Sequence, residues 1–308
     1  MTTRDGVTLR CRVAARADLV QDAPIVVLVH GIAAPLEPTY DLPVPGYSFL
    51  EELASRGLRV VALDHRNFGR SQRDERMSMP PTVGAMHTFD ESVEDLRAVA
   101  EDTRRRWAGP LTLFGSSRGA IQVLAAALEV PFVTLAILNN PSSLCYLSGA
   151  TKGTPLAQMI EERDGAQREH TYIPYTAEFQ RKRWKKLFGD AAHAHTDSAL
   201  QEQYIDACIA SDADGQNQSP PVFRVPTERF PERVPLLPLS CLAVPTIVIE
   251  AEEVPDAHVA AFLDTVPRGL ARLLRIRDSN HFTLRNARRF ELANIIEAAV
   301  FSRTVTPS

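Results

Sequence analysis

Six short runs of aliphatic residues constrain this chain more than any other feature: PIVVLVH (24–30), LRVVALD (58–64), PLTLFG (110–115), FVTLAIL (132–138), PTIVIEA (245–251) and LARLLRI (270–276). Each is too short to stand alone as a helix, and most are apolar throughout rather than at alternate positions. A strand that is apolar on both faces must be buried on both, which is the condition of a mainly parallel sheet covered by helices. VTLRCRVA (7–14) differs by alternating, as an antiparallel first strand at the sheet edge would. Between the runs lie helical patterns: YSFLEELASRG (47–57), TFDESVEDLRAVAEDTRRRW (88–107), SRGAIQVLAAALE (117–129) and RRFELANIIEAAVF (288–301). The second opens on acids and closes on arginines, which complements the helix dipole. Strands alternating with helices imply right-handed crossovers, and so an α/β fold with a mostly parallel, doubly wound sheet.

The alternation stops at about 142 and resumes at about 242. In between lie AQMIEERDGAQREHTY, the basic-aromatic EFQRKRWKKLF and the proline-rich SPPVFRVPTERFPERVPLLPLSCLAVP, with no run that reads as a buried strand. The expectation is a core domain of residues 1–141 and 242–308, carrying a mainly helical cap or lid at 142–241 closed by an extended arm. A chain of 308 residues has room for both. The net charge of −4 provides no field for nucleic acid or an anionic membrane. Cys11, Cys145, Cys208 and Cys241 are scattered without a CxxC spacing, which argues against a zinc site or a disulfide framework. No apolar signal-like stretch opens the sequence and no run approaches the length of a membrane span, so a cytoplasmic protein is expected.

Chemistry is suggested at three places. GSSRG (115–119) lies between the run PLTLF and the helical AIQVLAAALE, and its frame selects Ser117 rather than Ser116 as a nucleophile. Such a serine occupies a strained turn that lifts Oγ above the sheet edge, leaving room only for glycine on either side. The plainer reading is a small-residue turn without chemistry. In LVHGIAAP (28–35) a strand runs into a small-residue loop, whose Ile32 amide, helped by Ala33, would supply one oxyanion donor. The Arg118 amide would supply the other. His30 reads as a structural residue fixing that loop. DSNHFTL (278–284) places His281 after the last strand, where a base can reach Ser117. His193 and His195 form an H-x-H with no third ligand at useful spacing, so no metal site is expected.

With HGI (30–32), DHRNFGRS (64–71), GSSRG and SNHF around His281, the chain resembles the α/β-hydrolase superfamily over roughly 5–141 and 242–303. Many members read D-x-R-G-x-G-x-S in the second motif. Asn67 replaces the first glycine here, a residue that tolerates positive φ better than other non-glycine types. The resemblance implies a Ser-acid-His order of triad members and a serine hydrolase that acts on an ester or thioester through an acyl-enzyme. It also implies that no metal or organic cofactor is needed. The acid is harder to place. In EAEEVPDAH (250–258), Val254 falls where relatives carry an aspartate, so Glu253 ranks first and Asp256 second, Asp256 also suiting a helix N-cap. Some relatives carry the acid after the preceding strand, where this chain has Asn139 and Asn140.

Residues beyond the triad would set specificity. The Arg118 side chain would either face the pocket and favour an anionic acyl group, or be packed and paired at the helix start. Ser116 and Ala33 would border the substrate. Tyr172, Tyr175, Phe179, Trp184 and Phe188 would line an apolar pocket or form the cap's own core. RKRWKK (181–186) is either a solvated helix face or a docking site for an acidic acyl carrier protein or a CoA phosphate. Two other outcomes use the same scaffold: a lyase, cyclase or acyltransferase that excludes water, and a receptor that binds ligand without turnover.

Overall fold

The computed structural model describes residues 1–141, 170–188, 198–229, 237–252 and 256–304. Elements are numbered over these residues. A seven-stranded sheet runs in the order β1 (Cys11–Ala14), β3 (Arg59–Leu63), β2 (Ile25–Val29), β5 (Leu111–Ser116), β6 (Val133–Asn139), β10 (Thr246–Ala251), β11 (Ala271–Ile276). Only β1 is antiparallel to its neighbour, pairing Cys11 with Leu63 at the edge, and every other pairing is parallel. All six continuous apolar runs are strands, and β2, β3, β5 and β10 are buried at every position.

Successive side chains on these strands point to opposite faces, and a separate apolar layer lies on each. Val27, Val29, Leu111 and Leu113 pack beneath α3 (Phe89–Arg106) and α4 (Arg118–Glu129). Val26, Leu28, Val60, Phe114 and Ile249 pack beneath α2 (Phe49–Ser55) and α8 (Arg289–Thr304). Local signals set the helix starts. The Ser48 side chain accepts from the Glu51 amide at the start of α2, and Thr88 and Glu91 form a reciprocal capping box on α3. A one-turn helix, α1 (Leu36–Tyr40), follows the loop after β2.

β6 and β10 are hydrogen-bonded neighbours although about a hundred residues separate them, so the chain between them is an excursion from the sheet. The described part of that excursion contains α5 (Ala177–Phe188) and α6 (Ser198–Ala210). It also contains an antiparallel ribbon of β7 (Tyr172–Thr176) and β8 (Val222–Pro226). The ribbon corrects the expectation that no buried strand occurs here, because VFRVP in β8 is buried throughout. Prolines hid it: Pro174 and Pro226 weaken a strand signal, yet in a two-stranded ribbon each strand has an open edge that tolerates a missing donor.

A short parallel pair, β4 (His87–Thr88) with β9 (Glu228–Arg229), then ties the returning chain to the start of α3. No helix of the described residues is long and apolar enough to cross a membrane.

Candidate active site

Ser117 joins β5 to α4 with φ 56° and ψ −117°, outside the ordinary left-handed well and costly for a residue with a Cβ. Two structural features hold it there. Its amide donates to Asn139 O on the neighbouring strand (2.9 Å). The flanking glycines allow backbone contact that no other residue permits: a methyl at 115 would collide with Gly119 O, and one at 119 with the carbonyls of Val29 and His30. Ser116 is placed differently. It is buried at the end of β5, and its Oγ accepts from Asn139 Nδ2 (3.3 Å).

The loop after β2 presses on this turn. A Cβ on Gly31 would lie 3.2 Å from Ser117 Cβ and 3.7 Å from its Oγ, so Gly31 borders the serine side chain directly. His30 anchors the loop. Its Nδ1 donates to Gly31 O (2.7 Å) and its Nε2 accepts from the His65 amide (3.2 Å), a pattern that fixes one neutral tautomer. Burial pushes its pKa down to about 3, so the ring does not become a base near neutral pH. The second motif supports the same loop: Asp64 accepts from the amides of Leu36 (2.7 Å) and Arg70 (3.2 Å). Asn67 takes φ 68°, the conformation the missing glycine would have supplied. Ile32 itself is buried and Ala33 half-buried, both in contact with the apolar cluster formed by the excursion. Arg118 opens α4, so its N–H belongs to the first turn, where amides point outward from the helix.

His281 follows β11 in a loop that Asn140 clamps. Asn140, buried and at φ 45°, donates through Nδ2 to Thr283 Oγ1 (3.1 Å), His281 O (3.3 Å) and Asn280 O (3.4 Å). Its Oδ1 accepts from the Ala251 amide (2.8 Å) at the end of β10. Asn139 holds the serine turn and Asn140 the histidine loop, so one dipeptide at the end of β6 contacts both. Asn139 Nδ2 donates to Ser116 Oγ and the Asn140 amide is committed to the loop and to Ala251, contacts that no local motif announces.

Above the loop, Phe282 stacks on Trp184 of α5, centroids 4.0 Å apart and planes within 10°. The Arg285 guanidinium lies 3.9 Å from the Tyr204 ring centroid. Glu253 lies outside the described residues. Asp256 is the first residue of α7 (Asp256–Thr265), a position in accord with the helix start read from the sequence.

The Arg118 side chain is buried, with Nη1 3.6 Å from Glu228 Oε2, which accords with the paired reading. Tyr172, Tyr175 and Trp184 are buried, Phe179 is exposed, and the Phe188 side chain lies outside the described residues. In the basic run, Arg181 pairs with Glu202, Lys182 with Glu178 (2.6 Å), and the Arg183 guanidinium lies over the Tyr175 ring. His193 and His195 lie outside the described residues.

A mostly parallel doubly wound sheet, with a serine on a strained strand–helix turn and a histidine in the loop after the last strand, is the arrangement of the α/β-hydrolase fold. Residues 21–160 match the family model described as serine aminopeptidase, S33. No curated protein matches the sequence. Among solved structures, a putative aryl esterase from Burkholderia cenocepacia is similar over 99% of this chain and 98% of its own, at TM-score 0.62 and 15% identity. The α/β hydrolase GrgF from Penicillium sp. sh18 is similar over 98% and 97%, at TM-score 0.62 and 16% identity. A thioesterase domain from the curacin biosynthetic pathway is similar over 94% and 95%, at TM-score 0.56 and 19% identity. The chain therefore has the α/β-hydrolase fold, and its residues 21–160 are similar to that hydrolase family.

Proposed function

We propose that the protein is a serine hydrolase that cleaves a carboxylic ester or thioester through an acyl-enzyme. The observation that carries this reading is the backbone of Ser117, held at φ 56° and ψ −117° by glycine contacts that no substitution would relieve. Strain of this kind persists where the surrounding structure enforces it, and it clusters at reacting groups.

In the first half-reaction Ser117 Oγ attacks the carbonyl carbon as His281 takes its proton. The Ile32 and Arg118 amides bind the oxyanion that forms, acting where charge develops rather than on the ground state. His281 returns the proton to the departing alcohol or thiol. Water then attacks the acyl-enzyme with His281 again as base, releasing the acid and restoring Ser117. Glu253, or failing it Asp256, orients the imidazole and stabilises its charged form. The esterase and thioesterase folds that resemble this chain support an acyl substrate.

The test combines a fluorophosphonate with short- and long-chain p-nitrophenyl esters, applied to the wild type and to Ser117→Ala. Labelling and turnover that both vanish in the variant are expected. Labelling without turnover would favour a cyclase or transferase, and neither would favour a receptor. Glu253→Gln and Asp256→Asn then assign the acid, whose loss costs on the order of a thousandfold in kcat.

A further inference from the structure

The returning end of the excursion delivers one carboxylate to the helix that follows Ser117. Glu228 opens β9, where its backbone pairs with His87 of β4. Thr227, just before it, donates through Oγ1 to His170 O (2.6 Å), so the strand is held by the excursion's own residues. The Glu228 side chain is 2% exposed. Its Oε1 accepts from Ser92 Oγ of α3 (2.6 Å) and from Gln122 Nε2 of α4 (3.1 Å). Its Oε2 lies 3.6 Å from Arg118 Nη1, an ion-pair distance beyond a hydrogen bond.

Arg118 and Gln122 stand one turn apart on α4, so a single carboxylate grips the start of that helix at two positions. Charge matters here as well as packing, because a guanidinium taken out of water is costly without a counter-charge. His87 Nε2 lies 3.9 Å from Glu228 Oε1, but burial pushes the pKa of that ring down, so it stays neutral near pH 7. The same side chains, with Gly31 and Ile32 of the loop after β2, enclose an internal space with room for about one water. No substrate group fits there, so the carboxylate acts on its protein neighbours.

We propose that Glu228 is a positioning residue for the oxyanion site: through the Arg118 side chain it holds the first turn of α4, and with it the Arg118 amide, where the developing oxyanion needs a donor. The proposal rests on the serine hydrolase reading, which gives that amide its role. With Glu228 made neutral, Arg118 loses a buried counter-charge and is driven to reorient. The space it borders is shared with Gly31 and Ile32, so the loop carrying the other donor is disturbed too. Such donors act as charge develops, so the loss falls on kcat and on binding of an oxyanion mimic, with KM little changed.

The test uses p-nitrophenyl butyrate as substrate and 1,1,1-trifluoropentan-2-one as the mimic, whose adduct with Ser117 puts an oxyanion in the donors' reach. Active sites are counted by fluorophosphonate labelling, so unfolded protein does not enter kcat. Glu228→Gln is expected to lower kcat about tenfold and to raise the Ki of the ketone by a similar factor, with KM changed less than about threefold. In an Arg118→Met background the further change Glu228→Gln is expected to cost less than about twofold in kcat, since the pair is already broken. That second comparison decides the matter even where Glu228→Gln alone does not fold. Unchanged kcat and Ki per labelled site in Glu228→Gln, a change confined to KM, or losses that multiply in the double variant would overturn the positioning role alone. An unlabelled Ser117 in folded wild type would overturn the serine mechanism and the positioning role with it.

Discussion

Asn140 lies outside the proposed triad and holds the loop that carries His281. Its amide joins the ends of β6 and β10 to the backbone on either side of His281, all within hydrogen-bond distance. Removing it leaves buried carbonyls without a donor and frees the loop, a change in geometry with no change in the reacting groups. Asn140→Ala is therefore expected to lower kcat about 10- to 100-fold with KM changed less than about threefold, since small displacements of a catalytic group cost rate steeply. Steady-state kinetics on a p-nitrophenyl ester check this. Ser117 and the glycines beside it were legible in the sequence because a strand, a turn and a helix follow each other without a break. Asn140 and Glu228 were not. Their partners lie some 140 and 106 to 136 residues away, and no local pattern encodes such contacts.

Among the elements, the central strands were recoverable because continuous apolarity has one main cause, burial on both faces. β10 carries the exception. Glu250 sits in an otherwise apolar strand, buried, with its pKa pushed up to about 8 by desolvation and drawn back partly by Arg275. Its folded-state pKa exceeds the ordinary value of 4.5, so the folded protein holds a proton that the unfolded chain gives up. The stability this contributes is complete below about pH 4.5 and is lost as pH rises through about 8. Glu250→Gln is expected to gain stability relative to wild type by on the order of 3 kcal/mol between pH 5 and pH 8. Urea unfolding at the two pH values measures it. A difference that stays constant would mean the carboxyl is already ionised in the folded strand. The ribbon of β7 and β8 was missed for a related reason: prolines that spoil a strand inside a wide sheet are harmless in a ribbon.

Across the whole molecule, the excursion between β6 and β10 is fastened to the sheet's surroundings by ion pairs as well as by the Trp184–Phe282 stack. Arg224 and Asp212, both fully buried, pair at 2.6 Å, and Arg73 from the loop after β3 joins the same carboxylate at 2.7 Å. Hydrogen bonds and nearby arginines hold the Asp212 pKa at about 2 despite its burial. Asp212→Asn removes the carboxylate that Arg73 and Arg224 share, leaving Arg224 only the exposed Asp214, and is expected to cost about 3 kcal/mol, read from the urea midpoint at constant slope. The same fastening sets Phe282, and with it the loop of His281, under α5. The proposed reaction turns on one event, the transfer of an acyl group to Ser117. Acid-quenched mass spectrometry after mixing the protein with p-nitrophenyl acetate observes that event directly. One acetyl group on the peptide containing Ser117, absent in Ser117→Ala and strongly reduced in His281→Ala, is expected. Hydrolysis that proceeds at full rate in Ser117→Ala would contradict it.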